Sequence, residues 1–545
     1  MIGRVMSDSR AHTFLAAVAV TLLCGALLLA TSPRLAIVWD EGDTILRAER
    51  VSEAVAAARE DGLSAVWPAL RSEVNWQYTV VREGHPPLSG MLIAIGQWIT
   101  PEAMDPLTRA RFGPIALFSL AAGAMFYRLV RDYRSTAVGV MAVIALLTMP
   151  RVFAHAHYAT LDGPVTACWV LAWAAFVPAS RDWRWAGLFG LALGLAFCAK
   201  FSGWLAVVPF VVWTAMYRDR AAMRALAVGV PLALGLFVLL NPPIWDGPVD
   251  GIWTFLELNL SRGNRPEHNI TTQFFGRMHD LDHPLPWYNA LVWTAITITP
   301  IVLLLGVLGI VATVRRWHTD RASALLLCNW ATMIGVRALP MSPPHDAERL
   351  ILPSFAFFAA LVGVGIGRAL YRDTLLEPQR IPAQGWAKVA MGLAIAAAAF
   401  DTFNYYPNIL SYYSRIIGGL RGATACGMEP TYYWDSLDDE ALEWLNEHTP
   451  DDERIVFGAA SPHNIGLLQR WGRLNTPTDA GGRRRWYVLQ RRPSGLDKYD
   501  LQLIEKHKPT FQRTLSGVPL LEVYRYDDYR RLLGSRYGEL PLSEP

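Results

Sequence analysis

About eleven stretches of spanning or near-spanning apolar length punctuate this chain, near residues 12–32, 109–130, 135–150, 163–179, 184–199, 202–217, 222–240, 287–314, 322–340, 350–370 and 385–401. A run of roughly 20 apolar residues matches the hydrocarbon thickness of a bilayer. Inside that layer every backbone amide must be bonded within the protein, so the chain is confined to a bundle of transmembrane helices. Composition agrees: 52% of residues are hydrophobic and 18% are charged, against about 25% charged in soluble domains. That balance excludes a soluble protein. With 50 Lys and Arg against 47 Asp and Glu, the formal charge of +3 gives no sign of a nucleic-acid partner.

The N-terminus carries Arg4 and Arg10 ahead of the first apolar run, as a secretory signal would. The run is near spanning length, has no persuasive small-residue cleavage site and ends at Pro33, so it reads as the first transmembrane helix. Cys24, Cys168, Cys198 and Cys328 lie in apolar runs and only Cys426 in a polar one, so neither a disulfide framework nor a cysteine metal site is expected.

A twelfth apolar segment, Pro86 to Ile99, is shorter than a span and opens with two prolines. Topology parity places it. If it does not cross, the basic clusters Arg128, Arg131 and Arg134, then Arg181 and Arg184, then Arg218, Arg220 and Arg224, then Arg315, Arg316 and Arg321, then Arg372, Arg380 and Lys388 all fall on one side. Lys and Arg gather in cytoplasmic loops, so the segment is expected to be an interfacial or re-entrant helix. The segments 33–108, 151–162, the junction at Lys200, 241–286, 340–349 and everything from about 402 then face outward. These hold most of the His, Asp, Glu, Asn and Pro, so a water-accessible active site would face the periplasm or exterior.

The tail from Thr402 changes character. Alternating runs at 454–460, 486–490 and 519–526 read as strands, and 437–448 reads as an amphipathic helix capped by Asp435 or Ser436. The expected architecture is a polytopic α-helical membrane domain over residues 1–401, with outward loops 33–108 and 241–286, followed by a small extramembrane α/β domain over 402–545.

Charges at the outer boundary are the candidate chemistry. Asp40 and Glu41 directly follow the first helix, where one carboxylate would raise the other's pKa and suit it to general-base work; a solvated loop start with helix-capping acids is the plainer alternative. Glu83 and His85 precede the two prolines. His155, His157 and Asp162 share one short loop, spaced too loosely for a zinc set and open to hydrogen-bonding or phosphate-facing roles. Lys200 interrupts two apolar helices, an expensive position that marks either a functional cation or a snorkelling one. Trp245 opens the long second loop, and Glu348 and Arg349 sit at another outer boundary.

Taken in order, Asp40-Glu41, His85-Pro86-Pro87-Leu88, Asp162, Gly194-Leu195-Ala196-x3-Lys200, Pro243-x-Trp245-x2-Pro248 and Glu348-Arg349-x3-Pro353 resemble the polyprenyl-phosphate-dependent membrane glycosyltransferases of the GT-C class. That group includes protein O-mannosyltransferases, aminoarabinose transferases for lipid A and the bacterial family 39 proteins. The tail motif Pro407-Asn-Ile-Leu-Ser-Tyr-Tyr, with Gly418-Gly419, Gly422-Ala423 and Tyr433-Trp434, resembles a segment of bacterial members. The resemblance implies a GT-C-like fold of about 11 spans in the bacterial inner membrane, and an inverting transfer of a hexose- or pentose-type sugar from a polyprenyl-phosphate donor. The acceptor would be a lipid, glycan or protein at the outer face.

It further implies Asp40 as catalytic base with Glu41 beside it, His85, Lys200 and Arg349 toward the donor phosphate, and Glu83, His155, His157, Asp162, Trp245 and Glu348 toward substrate. No metal ligand set is expected, while a divalent cation as cofactor stays open. The rival reading is a polytopic transporter or lipid-linked-sugar flippase. Such proteins show paired halves with interrupted helices and midplane charges, neither of which the sequence displays. A membrane-anchored scaffold whose tail does the work is a further alternative.

Overall fold

The computed structural model describes residues 2–72, 84–261, 270–345, 347–370, 385–476 and 482–534. Glu83, Arg262, His268, Asp346 and the basic loop holding Arg372 and Arg380 lie outside the described residues. In chain order the elements are α1 (Ile2–Thr31), α2 (Glu41–Glu60), α3 (Leu63–Arg71), α4 (Leu88–Ile99), α5 (Pro106–Tyr133), α6 (Thr136–Leu147), α7 (Pro150–His155), α8 (Asp162–Ala179), α9 (Ala186–Ala199), α10 (Val207–Tyr217), α11 (Arg220–Leu239) and α12 (Pro248–Leu260). Next come β1 (Thr272–Phe274), β2 (Arg277–His279), α13 (Asn289–Thr297), α14 (Pro300–Val314), α15 (Arg321–Arg337), α16 (Leu352–Leu370), α17 (Gly385–Phe403), α18 (Gly419–Ala425), α19 (Asp439–His448), β3 (Glu453–Phe457), α20 (Pro462–Arg470), β4 (Arg483–Gln490), α21 (Lys498–Lys506), β5 (Phe511–Leu515), β6 (Val518–Arg525) and α22 (Tyr526–Gly534).

Each apolar run becomes helix, and side chains tie like ends together. At one end Arg181 Nη2 donates to Asp132 at 3.1 Å, Tyr133 meets Ser323 at 2.5 Å, and Trp213 Nε1 donates to Arg321 O at 2.8 Å. At the other, Thr402 Oγ1 donates to Thr148 O at 3.1 Å, Tyr406 to Thr31 O at 2.9 Å, and Asn289 Nδ2 to Arg337 O at 3.1 Å. This pairing is the up-and-down order that parity requires when the 86–99 segment is left out of the count.

Fewer helices than the eleven runs are long and apolar enough to span alone. Four of those described qualify by length and composition: Arg10–Thr31, Pro106–Tyr133, Arg220–Leu239 and Arg349–Arg368. Others are shorter: Pro300 divides α13 from α14 within one run, and α9 and α10, on either side of the extended Lys200 and the 3-10 turn after it, have 14 and 11 residues. The 12-residue α4 reaches only about 18 Å at 1.5 Å per residue, well short of a bilayer's roughly 30 Å. It packs on α5 and α2 and leaves Ile95, Trp98 and Ile99 exposed.

The tail forms a four-stranded sheet in the order β3-β4-β6-β5, with β3 parallel to β4 and the other pairs antiparallel. Three of its strands follow the sequence signal; β5 was not expected. The cap of α19 also differs: Asp438, rather than Asp435 or Ser436, accepts from Ala441 N. The 241–286 segment contains α12 and the β1–β2 hairpin. The sheet and α20 share a hydrophobic core with the membrane-proximal helices. Leu467, Leu468, Trp486, Val488 and Leu521 pack in one cluster with Ile37, Ile45, Ile93 and Leu107.

At the centre of the bundle end that meets the tail is a buried ion pair. Arg111 of α5 and Glu41 of α2 have fully buried side chains, joined at 2.7 Å between Nη2 and Oε2 and 2.8 Å between Nε and Oε1. The remaining guanidinium hydrogens reach Ser32 O, Leu35 O and Ala36 O at 3.0, 3.0 and 2.9 Å. Glu41 also accepts from Val38 N at 3.0 Å and Ala159 N at 2.8 Å. All five guanidinium donors and all four carboxylate acceptor sites are thereby used. Removing one partner of such a pair strands the other charge and costs about 3–5 kcal/mol, whereas replacing both with apolar side chains costs far less. Arg111→Met is therefore expected to lower the unfolding temperature in detergent sharply, and Glu41→Leu with Arg111→Met to recover part of the loss. Additive losses in the double variant would contradict this.

Candidate active site

Asp40 is the last residue before α2, set by the Arg111 anchor on the preceding turns. Its Oδ2 receives Arg349 Nη1 at 2.5 Å and the Tyr433 hydroxyl at 2.9 Å. Arg349 lies in the 3-10 turn that leads into α16, and its guanidinium sits 4.4 Å from the centre of the Tyr433 ring. Arg349 Nε approaches Asp162 Oδ2 at 3.6 Å, and Asp162 Oδ1 receives Lys200 Nζ at 2.5 Å. Asp162 is the first residue of α8, while Lys200 occupies the extended break after α9. The result is an alternating chain, Asp40, Arg349, Asp162, Lys200, drawn from four separate parts of the sequence.

A second pair lies alongside. Arg151 Nη1 donates to Glu348 Oε2 at 2.7 Å, Arg151 Nε to Tyr412 O at 3.0 Å, and the guanidinium lies 4.5 Å from the Tyr413 ring centre. His155 Nε2 is 4.0 Å from Glu348 Oε1. Arg151, His155, Glu348, Arg349, Tyr432 and Tyr433 line a cavity with room for about one water molecule. Burial pushes the His155 imidazole down to about 4; Asp162 opposes the shift, and Arg349, Arg151 and Lys200 reinforce it. A neutral ring beside a carboxylate can bond a hydroxyl without carrying charge.

Of the residues expected at the site, Asp40, Asp162, Lys200, His155, Glu348 and Arg349 come together. Glu41 stands apart from that group, paired with Arg111. Its side chain points the other way and every acceptor site is taken, so it positions the loop that carries Asp40. His157 also belongs elsewhere. It is fully buried against α1, bonded to Thr31 Oγ1 at 2.8 Å and Phe153 O at 2.7 Å. Trp245 turns back to cap α11, donating to Val238 O at 2.7 Å. His85 is buried in the turn before α4, where Gly84 O accepts from Asn259 at 3.0 Å.

Sequence reasoning did not place Arg111 or Arg151 at the site, and Tyr433 entered only through the tail motif. Each arginine bordered an apolar run, where an unpaired charge is costly, and that cost was the available signal. Among the described residues, no group of three or more His, Cys, Asp or Glu side chains could hold a metal ion. The site's three carboxylates instead face three cations: Asp40 faces Arg349, Asp162 faces Lys200 and Glu348 faces Arg151.

No curated protein matches the chain. Residues 84–245, which include Arg111, Arg151, His155, Asp162 and Lys200, match the family described as dolichyl-phosphate-mannose-protein mannosyltransferase. ArnT from Cupriavidus metallidurans in the apo state superposes with a TM-score of 0.50 at 12% identity, covering 95% of this chain and 98% of its own. The GT-C architecture is thus shared across nearly the whole length. ArnT bound to undecaprenyl phosphate gives 0.49 at 14% identity, with 93% and 97% covered. The archaeal oligosaccharyltransferase AglB from Archaeoglobus fulgidus, in complex with an inhibitory peptide and a dolichol-phosphate, gives 0.47 at 14%, with 88% and 69% covered.

The depressed His155 pKa has a sign that can be measured. Below about 6.5, its usual value, the unfolded chain binds a proton that the folded site rejects down to about 4. Stability is therefore lost as pH falls through that window, by up to about 3 kcal/mol from this group. His155→Gln is expected to be less acid-sensitive than wild type in detergent unfolding between pH 6.5 and 4. Parallel profiles for the two proteins would contradict the assignment.

Proposed function

We propose that this protein, a lipid-phosphate-dependent membrane glycosyltransferase by its family match and its fold, transfers one sugar with inversion and uses Asp40 as the general base. The observation that carries the reading is exposure. The Asp40 side chain is 33% accessible, while those of Asp162 and Glu348 are 3% accessible. Asp40 alone of the three can meet a substrate from solution, and its Oδ2 is already oriented by two donors.

In the proposed reaction the acceptor hydroxyl gives its proton to Asp40 as its oxygen bonds to the anomeric carbon. The bond from that carbon to the phosphate oxygen breaks on the opposite face, and the polyprenyl phosphate departs with the bonding pair. Lys200 and Arg349 stabilise the charge that grows on it. The ion pairs with Asp162 and Asp40 hold both cations in place before the donor arrives. His155 and Glu348 border the same space and are suited to bonding sugar hydroxyls. The lipid chain would lie against the apolar helices, among membrane lipids.

The sugar is proposed to be a hexose or pentose and the acceptor a lipid, glycan or protein. The setting is proposed to be the bacterial inner membrane, with the site and the C-terminal region facing the periplasm. The acids on the same end of the bundle as the tail, and basic clusters on the other, support that orientation. Neither the family match nor the shared fold lends support to a transporter or flippase.

The test is transfer in detergent from a panel of labelled polyprenyl-phosphate hexoses and pentoses, with membranes from a strain lacking the gene as acceptor. Asp40→Asn is expected to lower turnover about 10²- to 10⁴-fold while still binding undecaprenyl phosphate, and Lys200→Gln to weaken that binding. Near-normal turnover of Asp40→Asn would remove Asp40 from the mechanism. No transfer from any donor, with activity only in sealed vesicles, would favour transport.

A further inference from the structure

The segment that carries Asp40 is gripped from two opposite sides, and only one grip belongs to the membrane bundle. Arg111 holds Glu41 and the carbonyls of residues 32–36 from below. From above comes α20, more than 400 residues later in the chain. Asn464 Oδ1 accepts from Gly42 N at 2.8 Å, and its Nδ2 donates to Val38 O at 2.8 Å. One amide side chain thus bonds the backbone on both sides of Asp40, two residues before and two after, as a neighbouring strand would.

Further contacts continue the same seam. His463 bonds Asp43, Arg470 Nη2 reaches Glu49 at 2.8 Å, and Trp39 N donates to Tyr433 O at 3.3 Å. The Trp39 and Trp434 rings lie 4.3 Å apart. Asn464 is 6% exposed, so its two bonds are shielded from water. Gly42 is required for the approach: a Cβ there would stand 2.8 Å from the Asn464 backbone nitrogen, inside van der Waals contact.

We propose that Asn464 is a positioning residue for the transfer reaction, fixing the Asp40 carboxylate through the backbone of Val38 and Gly42. The inference rests on Asp40 being the base. Its physical basis is the sensitivity of catalysis to placement: a shift of about 1 Å in a reacting group costs on the order of 10²-fold in rate. Without Asn464 the Gly42 amide loses its partner and the Val38 carbonyl keeps only Glu41 N, so the turn between them gains freedom while the Arg111 anchor remains. The same arrangement makes the C-terminal region part of the active site, although none of its sheet strands need touch substrate.

The experiment uses the full-length protein in detergent and the panel donor that wild type transfers. Asn464→Ala is expected to lower kcat about 10- to 100-fold, with KM for the donor and undecaprenyl-phosphate binding within about twofold of wild type. Amide hydrogen exchange should accelerate in residues 38–44 and stay unchanged in α5. Asn464→Asp keeps the acceptor for Gly42 and loses the donor to Val38, so it should fall between the two. In an Asp40→Asn background, Asn464→Ala should cost little more, because its effect runs through Asp40. Wild-type kcat in Asn464→Ala, a loss carried by KM, or the same fold-loss with and without Asp40 would overturn the proposal. Full activity of Asp40→Asn alone would instead overturn the reading on which it rests.

Discussion

A carboxylate and a guanidinium buried at the bundle end that meets the C-terminal region fix the remaining geometry. Arg111 and Glu41 have no accessible side-chain surface, and backbone groups satisfy every donor and acceptor that the pair leaves open. Two charges in such a place are tolerable only when fully paired and hydrogen-bonded. That requirement allows one arrangement of the Ser32–Glu41 segment against α5, and Asp40 is the side chain directly before Glu41. It is therefore delivered to the same point in every molecule, facing away from the pair that holds it.

Around Asp40 the protein sets opposite charges in sequence. Arg349 lies between two aspartates and Lys200 at the end of the row. A site arranged this way is close to neutral when empty, which lowers the cost of keeping four ionised groups near a membrane. It can also release cations toward an incoming phosphate without building them anew. The C-terminal region closes the arrangement: Tyr433 bonds Asp40 directly and Asn464 bonds its flanking backbone. Sheet, α20 and the helix ends beside them share one hydrophobic cluster, so the tail and the site are one packing problem.

Much of this was legible in the sequence. Hydropathy located the bundle, since a run of apolar residues has few other fates, and loop arginines fixed its order. Lys200, Asp162, Asp40 and Arg349 stood out because charges beside apolar runs are costly unless used. What the sequence could not say was direction. Asp40 and Glu41 are adjacent, yet the turn into α2 sends one to the site and the other into the core; adjacency alone made both candidates. His155 and His157 divide in the same way, one beside Glu348 and one against α1. Asn464 left no local trace, because its importance comes only from a contact across more than 400 residues.

The central claim, direct displacement at the sugar with Asp40 as base, is tested most directly by stereochemistry. NMR of the transferred sugar, compared with the anomeric configuration of the donor, should show inversion, as one in-line attack demands. Retention would require a double displacement or attack from the same face as the departing phosphate, and would contradict the account.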